Sequence, residues 1–312
     1  MEAAGILADI ARFLQYAGAV VVFGTALFCQ SSLPSSGETS ASRLGWPKPL
    51  LVSAALLIVV GSLLSWAAQS AMMTGVTIDK LDPDAAMSIL TDMQWGHGLA
   101  VRLIAGLLAV LWTLIAKPGR SLFVGNIVSG TIILGSFAFT GHGAASEGPW
   151  APVHLLSDIL HSVAAGVWLG ALVAFLGLLW QSQVADPAQQ TALAAALRGF
   201  SGTGSLLVAV LVATGLINGV FLVGLDHLDG LVKTPYGLLL SAKIAVFGGM
   251  LALAALNRFR LTPGLETALD TSSGVDHALA ALRRSLFVET MAGLLVLALV
   301  AVFGMMEPPA AQ

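Results

Sequence analysis

Charged residues are scarce in this sequence: they make up 10% of its 312 residues, whereas a soluble domain carries roughly 25%. Hydrophobic residues account for 57% of the chain. A soluble fold of this size could not hide that much apolar surface behind so few charges. A lipid bilayer accepts it, because the apolar face of a membrane helix is already in its preferred solvent. The composition therefore predicts an all-α integral membrane protein.

Other absences narrow the possible functions. The single cysteine, Cys29, excludes an intrachain disulfide and any zinc or iron–sulfur cage built on cysteines. The net charge of −3 and the lack of a basic run argue against a nucleic-acid partner. The sequence contains no P-loop, which argues against an ATP-driven pump. It contains no H-E-x-x-H motif, which argues against a zinc peptidase. The first stretch carries Glu2 and Asp9 without a basic region, so we interpret it as a retained helix, not a cleaved signal peptide.

Long apolar runs recur between short polar segments, and each run is long enough to cross about 30 Å of hydrocarbon. We predict about eight transmembrane helices, at roughly 6–30, 50–73, 95–116, 121–140, 153–181, 200–224, 236–257 and 284–305. No linker between them is long enough to divide the chain. We therefore expect one polytopic membrane domain over residues 1–312, with membrane lipid as its surroundings.

Basic residues flank the predicted spans unequally, and the side richer in them is expected to be cytoplasmic. One set of loops contains nine of them: Arg43, Lys48, Lys117, Arg120, Arg198, Arg258, Arg260, Arg283 and Arg284. The opposite set, which includes the N-terminus, contains only Arg12, Lys80 and Lys233. Both termini are therefore expected on the periplasmic side, as an even number of spans requires.

The fifth predicted span carries the most informative polar pattern. Spacings of four and three residues place His154, Asp158 and His161 on one helical face. His161 lies about 10 Å deeper than His154, so one metal ion cannot bind both, and Asp158 lies between them. Asp158 could bind a metal or fix a histidine tautomer, and a carboxylate within an apolar span indicates function. The alternative is a hydrated, interfacial helix start.

Further possible metal ligands lie on the same predicted outer side. His97 and His142 are each flanked by glycines, which leave the imidazole unobstructed. Additional candidates are His227, Met72, Met73, Met305 and Met306. Imidazole suits copper and zinc, whereas thioether selects copper(I), so this mixed set favours copper.

Several polar side chains lie deeper in the spans. Asn218, Lys243 and Glu289 are candidates for a transport path. Glu289 could instead pair with a basic residue, and Lys243 and Arg102 could extend to the outer interface.

Several motifs occur in an order that resembles the CopD (PcoD) copper-resistance family. They are His154-Leu-Leu-Ser-Asp158-Ile-Leu-His161 with Gly166, Trp168 and Gly170; Arg198-Gly-Phe200-Ser201; Thr214-Gly215 with Asn218; Thr234-Pro-Tyr236-Gly237 with Lys243; Asn257-Arg258; and Arg284-Ser285-Leu-Phe-Val-Glu289. The resemblance covers roughly residues 93–308. It implies a bacterial inner-membrane protein that takes copper from the periplasm, beside a separate periplasmic copper carrier of the CopC type.

We therefore predict a copper-binding membrane protein that is not an enzyme, with transport toward the cytoplasm as the leading mechanism. The chief alternative is a membrane oxidoreductase in which the same outer-face histidines are axial ligands of a b-type haem. A third possibility is a copper sensor or scaffold that binds metal without moving it.

Overall fold

The computed structural model describes residues 2–33, 41–141, 148–181 and 187–311. Within these ranges, the chain is helical and contains no β-strand. Eight of the helices in these ranges are long and apolar enough to cross a membrane. They are α1 (Glu2–Ser31), α2 (Pro47–Thr74), α3 (Gln94–Ile115), α4 (Arg120–Ala138), α5 (Ala151–Gln181), α6 (Pro187–Leu222), α7 (Pro235–Asp270) and α8 (Val275–Phe303). The predicted all-α fold and number of spans are confirmed. One predicted metal ligand, His142, lies outside the described residues.

Local sequence explains where several helices begin and end. Proline opens α2 and α7, where its missing N–H group would have no helical partner in any case. Before α7, the Thr234 hydroxyl caps the helix by accepting a hydrogen bond of 3.0 Å from the Gly237 N–H. α2 ends at Gly75, whose φ of 72° is the left-handed conformation that glycine adopts most easily.

Three helices extend past the predicted spans at one end of the bundle. α6 begins at Pro187 rather than near residue 200, and α8 begins at Val275 rather than near residue 284. α7 continues to Asp270. These added turns are polar, so an apolar-run criterion misses them. The extensions of α6 and α7 are joined by a salt bridge of 2.7 Å between Arg198 and Glu266.

π-turns interrupt two of the long helices, at Val21–Thr25 in α1 and at Asn257–Leu261 in α7. The first lies where α1 crosses α5 at very short range. A Cβ atom added at Gly24 would lie 1.9 Å from the Gly166 carbonyl oxygen. The Thr25 hydroxyl donates a hydrogen bond of 3.0 Å to the Gly170 carbonyl. Small residues thus allow the two backbones to touch.

α5 occupies the centre of the bundle, and its apolar part is the most deeply buried of the eight helices. It packs against α1, α4, α6 and α8. α7, by contrast, is the most exposed to the surroundings and packs mainly on α8. The second half of α5 therefore lies in the interior, whereas the turns at its start have an exposed face that carries Val153, Leu156 and Leu160.

Candidate functional site

The first polar cluster is built on α5, where the buried His154 and the half-buried Asp158 and His161 follow one another along one face of a continuous helix. His154 is 1% exposed. Its ring stacks flat on Phe221 of α6, with ring centroids 4.5 Å apart and an interplanar angle of 2°. This burial argues against a merely hydrated helix start. One turn further along α5, Ser157 donates a hydrogen bond of 3.1 Å to the Thr214 carbonyl of α6.

His161 is held by the same residue of α6. Its Nδ1 atom lies 2.9 Å from the Thr214 hydroxyl oxygen. That hydroxyl has one proton and lies 2.6 Å from the Val210 carbonyl oxygen, to which it donates. We therefore assign the hydrogen between His161 and Thr214 to the imidazole Nδ1, which donates to the hydroxyl. The Nε2 atom of His161 then carries the lone pair, as in a histidine that binds a metal through Nε2.

Lys243 of α7 brings a positive charge to this cluster. It interacts electrostatically with both Asp158 and His161. Its Nζ atom lies 5.8 Å from the centroid of the Phe303 ring of α8. Across the described chain, salt bridges form only between Arg198 and Glu266 and between Lys233 and Asp229. Asp158 and Lys243 therefore attract each other without forming a close ion pair.

Asn218 lies one helical turn from Thr214 on α6, toward the end of the helix that carries Phe221. Its Oδ1 atom is buried and has no hydrogen-bond partner in the part of the chain that the structure describes. The residue thus belongs beside the mouth of the α5 cluster. The sequence predicts Asn218 as a candidate for a transport path.

The remaining predicted ligands lie at helix ends. His97, near the start of α3, is exposed, and its Nε2 lies 2.5 Å from the Thr91 carbonyl oxygen. His227 is exposed in the short helical turn Leu225–His227. The methionine candidates end α2 (Met72, Met73) or follow α8 (Met305, Met306). Among residues 2–33, 41–141, 148–181 and 187–311, no three His, Cys, Asp or Glu side chains form a group that could hold a metal ion.

His154, Asp158 and His161 of α5 are nevertheless of residue types that can bind a metal ion. His154 and Asp158 are four residues apart, and Asp158 and His161 three apart, so each pair spans one helical turn, with Cβ atoms about 5–6 Å apart. Two side chains at that spacing can bind one ion between them. The cluster therefore offers successive two-ligand positions in place of a closed cage.

A second buried cluster surrounds Glu289 of α8, which is 1% exposed. One carboxylate oxygen accepts a hydrogen bond of 3.0 Å from the Trp168 indole N–H of α5. The other accepts a bond of 2.8 Å from the Asn257 amide of α7. Trp168 is seven residues beyond His161 on α5, which places this cluster about 10 Å further along the bundle. No basic residue of the described chain forms a salt bridge with Glu289.

A third cluster contains a buried cation and lies among α1, α3 and α4. Arg102 is 3% exposed, so it does not extend to the interface as the sequence suggested. It donates hydrogen bonds to Ser136 (3.0 Å), Thr140 (2.8 Å) and Gln15. Its guanidinium carbon lies 3.9 Å from the centroid of the Phe137 ring. All these partners are neutral, and a fixed positive charge makes this half of the bundle unfavourable for a cation.

Sequence reasoning did not identify three of the residues that hold these clusters together: Thr214, Trp168 and Asn257. Each lies in one of the motifs that carried the resemblance, and this was the signal available for them. Their partners were not visible, because each belongs to a different helix from the side chain that it contacts.

Comparisons with known proteins match nearly the whole chain to copper resistance protein D. The family model described as copper resistance protein D matches residues 194–303, and the model of the copper resistance protein D-like N-terminal domain matches residues 1–153. Copper resistance protein D of Pseudomonas syringae pv. tomato is 34% identical over 95% of each chain.

Two further relatives are more distant. Copper transport protein CutJ of Bacillus subtilis is 32% identical over 55% of this chain and 28% of its own length. Inner membrane protein YebZ of Escherichia coli is 24% identical over 84% of this chain and 87% of its own. No solved structure is significantly similar to the chain.

Proposed function

The chain belongs to the copper resistance protein D family, and we propose that it takes copper from the periplasmic side of the bacterial inner membrane and carries it toward the cytoplasm. It is a multi-pass inner-membrane protein, as its eight apolar helices and its relatives indicate. A copper transport protein is among those relatives. The proposal assigns copper transport to this chain as well, with a direction from the periplasm toward the cytoplasm.

One observation carries the proposal: side chains of types that can bind metals follow one another along one face of α5, from the buried His154 to the half-buried Asp158 and His161. His154, Asp158 and His161 are spaced so that copper can pass from one pair of ligands to the next. Thr214 holds His161 with Nε2 available as a ligand. Buried imidazole and carboxylate groups are costly in an apolar interior unless they serve a function.

Capture is assigned to the histidines and methionines at the ends of the helices. In this scheme copper is collected on the periplasmic side by His97, His227, Met72, Met73, Met305 and Met306, and His142 is assigned the same role. Asn218, whose buried Oδ1 atom has no partner within the described chain, offers an oxygen beside the entry to the cluster. A periplasmic copper carrier of the CopC type would deliver the ion to this face.

Lys243 acts as a competing cation. Its charge is attracted by Asp158 and repels a positive ion at His161. Copper therefore competes with Lys243 for the negative charge of Asp158. This competition weakens copper binding, so the ion can be released.

The proposed orientation places both termini in the periplasm. The polar extensions of α6, α7 and α8 then lie on the cytoplasmic side, with most of the basic residues. This arrangement follows the usual excess of Lys and Arg on that side of the membrane.

The first test is metal analysis with an absorption spectrum on detergent-purified protein. His154→Ala and His161→Ala are compared with wild type and with His277→Ala, which removes an exposed histidine from the opposite end of the bundle. We expect copper in wild type and His277→Ala, and loss of copper in the two α5 variants. A haem absorption band that disappears in the same variants would refute the proposal and make these histidines haem ligands. No observation on the described residues supports that alternative.

Flux is tested separately in proteoliposomes loaded with a copper chelator. We expect copper to accumulate with wild-type protein and not with His161→Ala. Copper binding without accumulation would instead show a sensor or scaffold.

A further inference from the structure

Glu289 is a buried carboxylate in the middle of the bundle, surrounded by neutral groups. It is 1% exposed, and its two oxygen atoms accept hydrogen bonds from Trp168 and Asn257. Salt bridges in the described chain involve other residues. A carboxylate removed from water is strongly disfavoured without a compensating positive charge. The described side chains provide none within ion-pair distance.

Two other polar atoms, on residues that contact Glu289 or lie one turn from it on α8, also lack a partner. The Oδ1 atom of Asn257 and the hydroxyl oxygen of Ser285 are buried, and neither makes a hydrogen bond within the described chain. Asn257 is 8% exposed and Ser285 is 7% exposed. Buried polar atoms in folded proteins are nearly always partnered by protein groups, water or an ion, so both oxygen atoms retain the capacity to bind a further group.

The geometry brings these atoms together. The amide nitrogen of Asn257 is 2.8 Å from one Glu289 oxygen, so the orphaned Oδ1 of the same amide lies in the immediate neighbourhood. Ser285 precedes Glu289 by four residues on α8 and therefore lies on the same helical face. Asn257 is also the first residue of the π-turn in α7, and such turns are frequent at functional sites.

We propose that Glu289, Asn257 and Ser285 bind one small hard cation, a sodium ion or a proton. The three side chains supply oxygen atoms, which hard cations prefer, and no imidazole or thioether of the kind that suits copper. Either ion supplies the single positive charge that Glu289 lacks. The site lies about 10 Å beyond His161 along α5 and is chemically distinct from the α5 cluster. The proposal concerns binding of this cation and does not rest on copper transport.

Trp168 provides a built-in reporter, because its indole N–H donates directly to Glu289. The tryptophan fluorescence of detergent-purified wild type is the readout, and the difference from Trp168→Phe shows how much of the response requires this indole. In one titration, sodium chloride replaces choline chloride at constant pH, so that the total salt concentration stays fixed. In a second titration, pH is varied at low and at high sodium. Glu289→Gln removes the charge with little change in shape. Glu266→Gln is the matched control, since that glutamate pairs with Arg198 in a helix extension.

A saturable sodium response that protons oppose identifies a sodium site. A pH response that sodium does not move identifies a proton site. Both responses should vanish in Glu289→Gln and persist in Glu266→Gln. A flat difference signal in both titrations overturns the proposal, as does a response that survives in Glu289→Gln.

A milder variant covers the case in which Glu289→Gln fails to fold, as judged by gel filtration and thermal unfolding. Ser285→Ala removes only one orphaned hydroxyl. We expect it to move the midpoint of the responding titration several-fold toward weaker sodium binding, or to shift the pH midpoint. A midpoint identical to that of wild type would exclude Ser285 from the site and overturn the three-residue assignment.

Discussion

Thr214→Val tests the assignment of the His161 tautomer. The threonine hydroxyl lies 2.9 Å from His161 Nδ1 and 2.6 Å from the Val210 carbonyl oxygen. Valine has nearly the same shape, so the contact between α5 and α6 should persist. Ser157 donates to the backbone carbonyl of residue 214, which the substitution leaves in place. The variant therefore removes one hydroxyl and little else.

The size of the effect follows from the lost hydrogen bond. A bond of this kind contributes about 0.5–1.5 kcal/mol, which corresponds to about 2- to 13-fold in an equilibrium constant. Losing the partner that orients a metal-binding histidine typically reduces metal affinity by about 10–100-fold. The two ranges overlap near tenfold. We therefore expect the copper affinity of Thr214→Val to fall by about tenfold, a smaller loss than for His161→Ala.

The assay is competition for copper between the detergent-purified protein and a chelator of known affinity. Thr214→Ser keeps the hydroxyl and serves as the matched control, which we expect to bind copper as wild type does. If Thr214→Val binds copper like wild type while His161→Ala does not, the tautomer assignment is wrong. If Thr214→Ser is as weak as Thr214→Val, the threonine contributes packing and not its hydroxyl.

Two further predictions concern stability and charge. Gly24→Ala should destabilise the bundle by about 1–3 kcal/mol or more, because the new Cβ would lie 1.9 Å from the Gly166 carbonyl oxygen, a backbone atom that no side-chain rotation can move away. Thermal unfolding in detergent measures this, and Gly135→Ala, where a Cβ meets nothing within 4 Å, should unfold like wild type. Lys243→Leu should raise copper affinity, because it removes the cation that interacts with Asp158 without adding a sulfur ligand; an unchanged or weaker affinity in the same chelator assay would contradict the competing role of Lys243.

The buried charges divide the bundle into two unlike halves. Arg102 gives the half formed by α1, α3 and α4 a fixed positive charge among neutral partners. The half formed by α5, α7 and α8 contains two carboxylates, the half-buried Asp158 and the buried Glu289, together with the cation Lys243. This asymmetry supports the proposed copper path along α5.

The sequence alone determined the features that depend on distance along one helix. The number of spans follows from the length of the apolar runs, because the thickness of the bilayer fixes how many residues a helix needs to cross it. The common face of His154, Asp158 and His161 follows from spacings of four and three residues within α5. Apolar length does not mark the end of a helix that continues past its membrane-spanning stretch, so the extent of α6 through Arg198 could not be predicted from it.

Only the tertiary structure decided which helices are neighbours. Trp168 and Glu289 are 121 residues apart in the chain, and His161 and Thr214 are 53 apart. Residues at such separations meet because close-packed helices bring them together, and one sequence does not state which helix faces lie in contact. Residue spacing therefore could not predict the orientation of His161 or the burial of Glu289 beside Asn257. Each of these residues nevertheless belongs to one of the motifs that carried the resemblance.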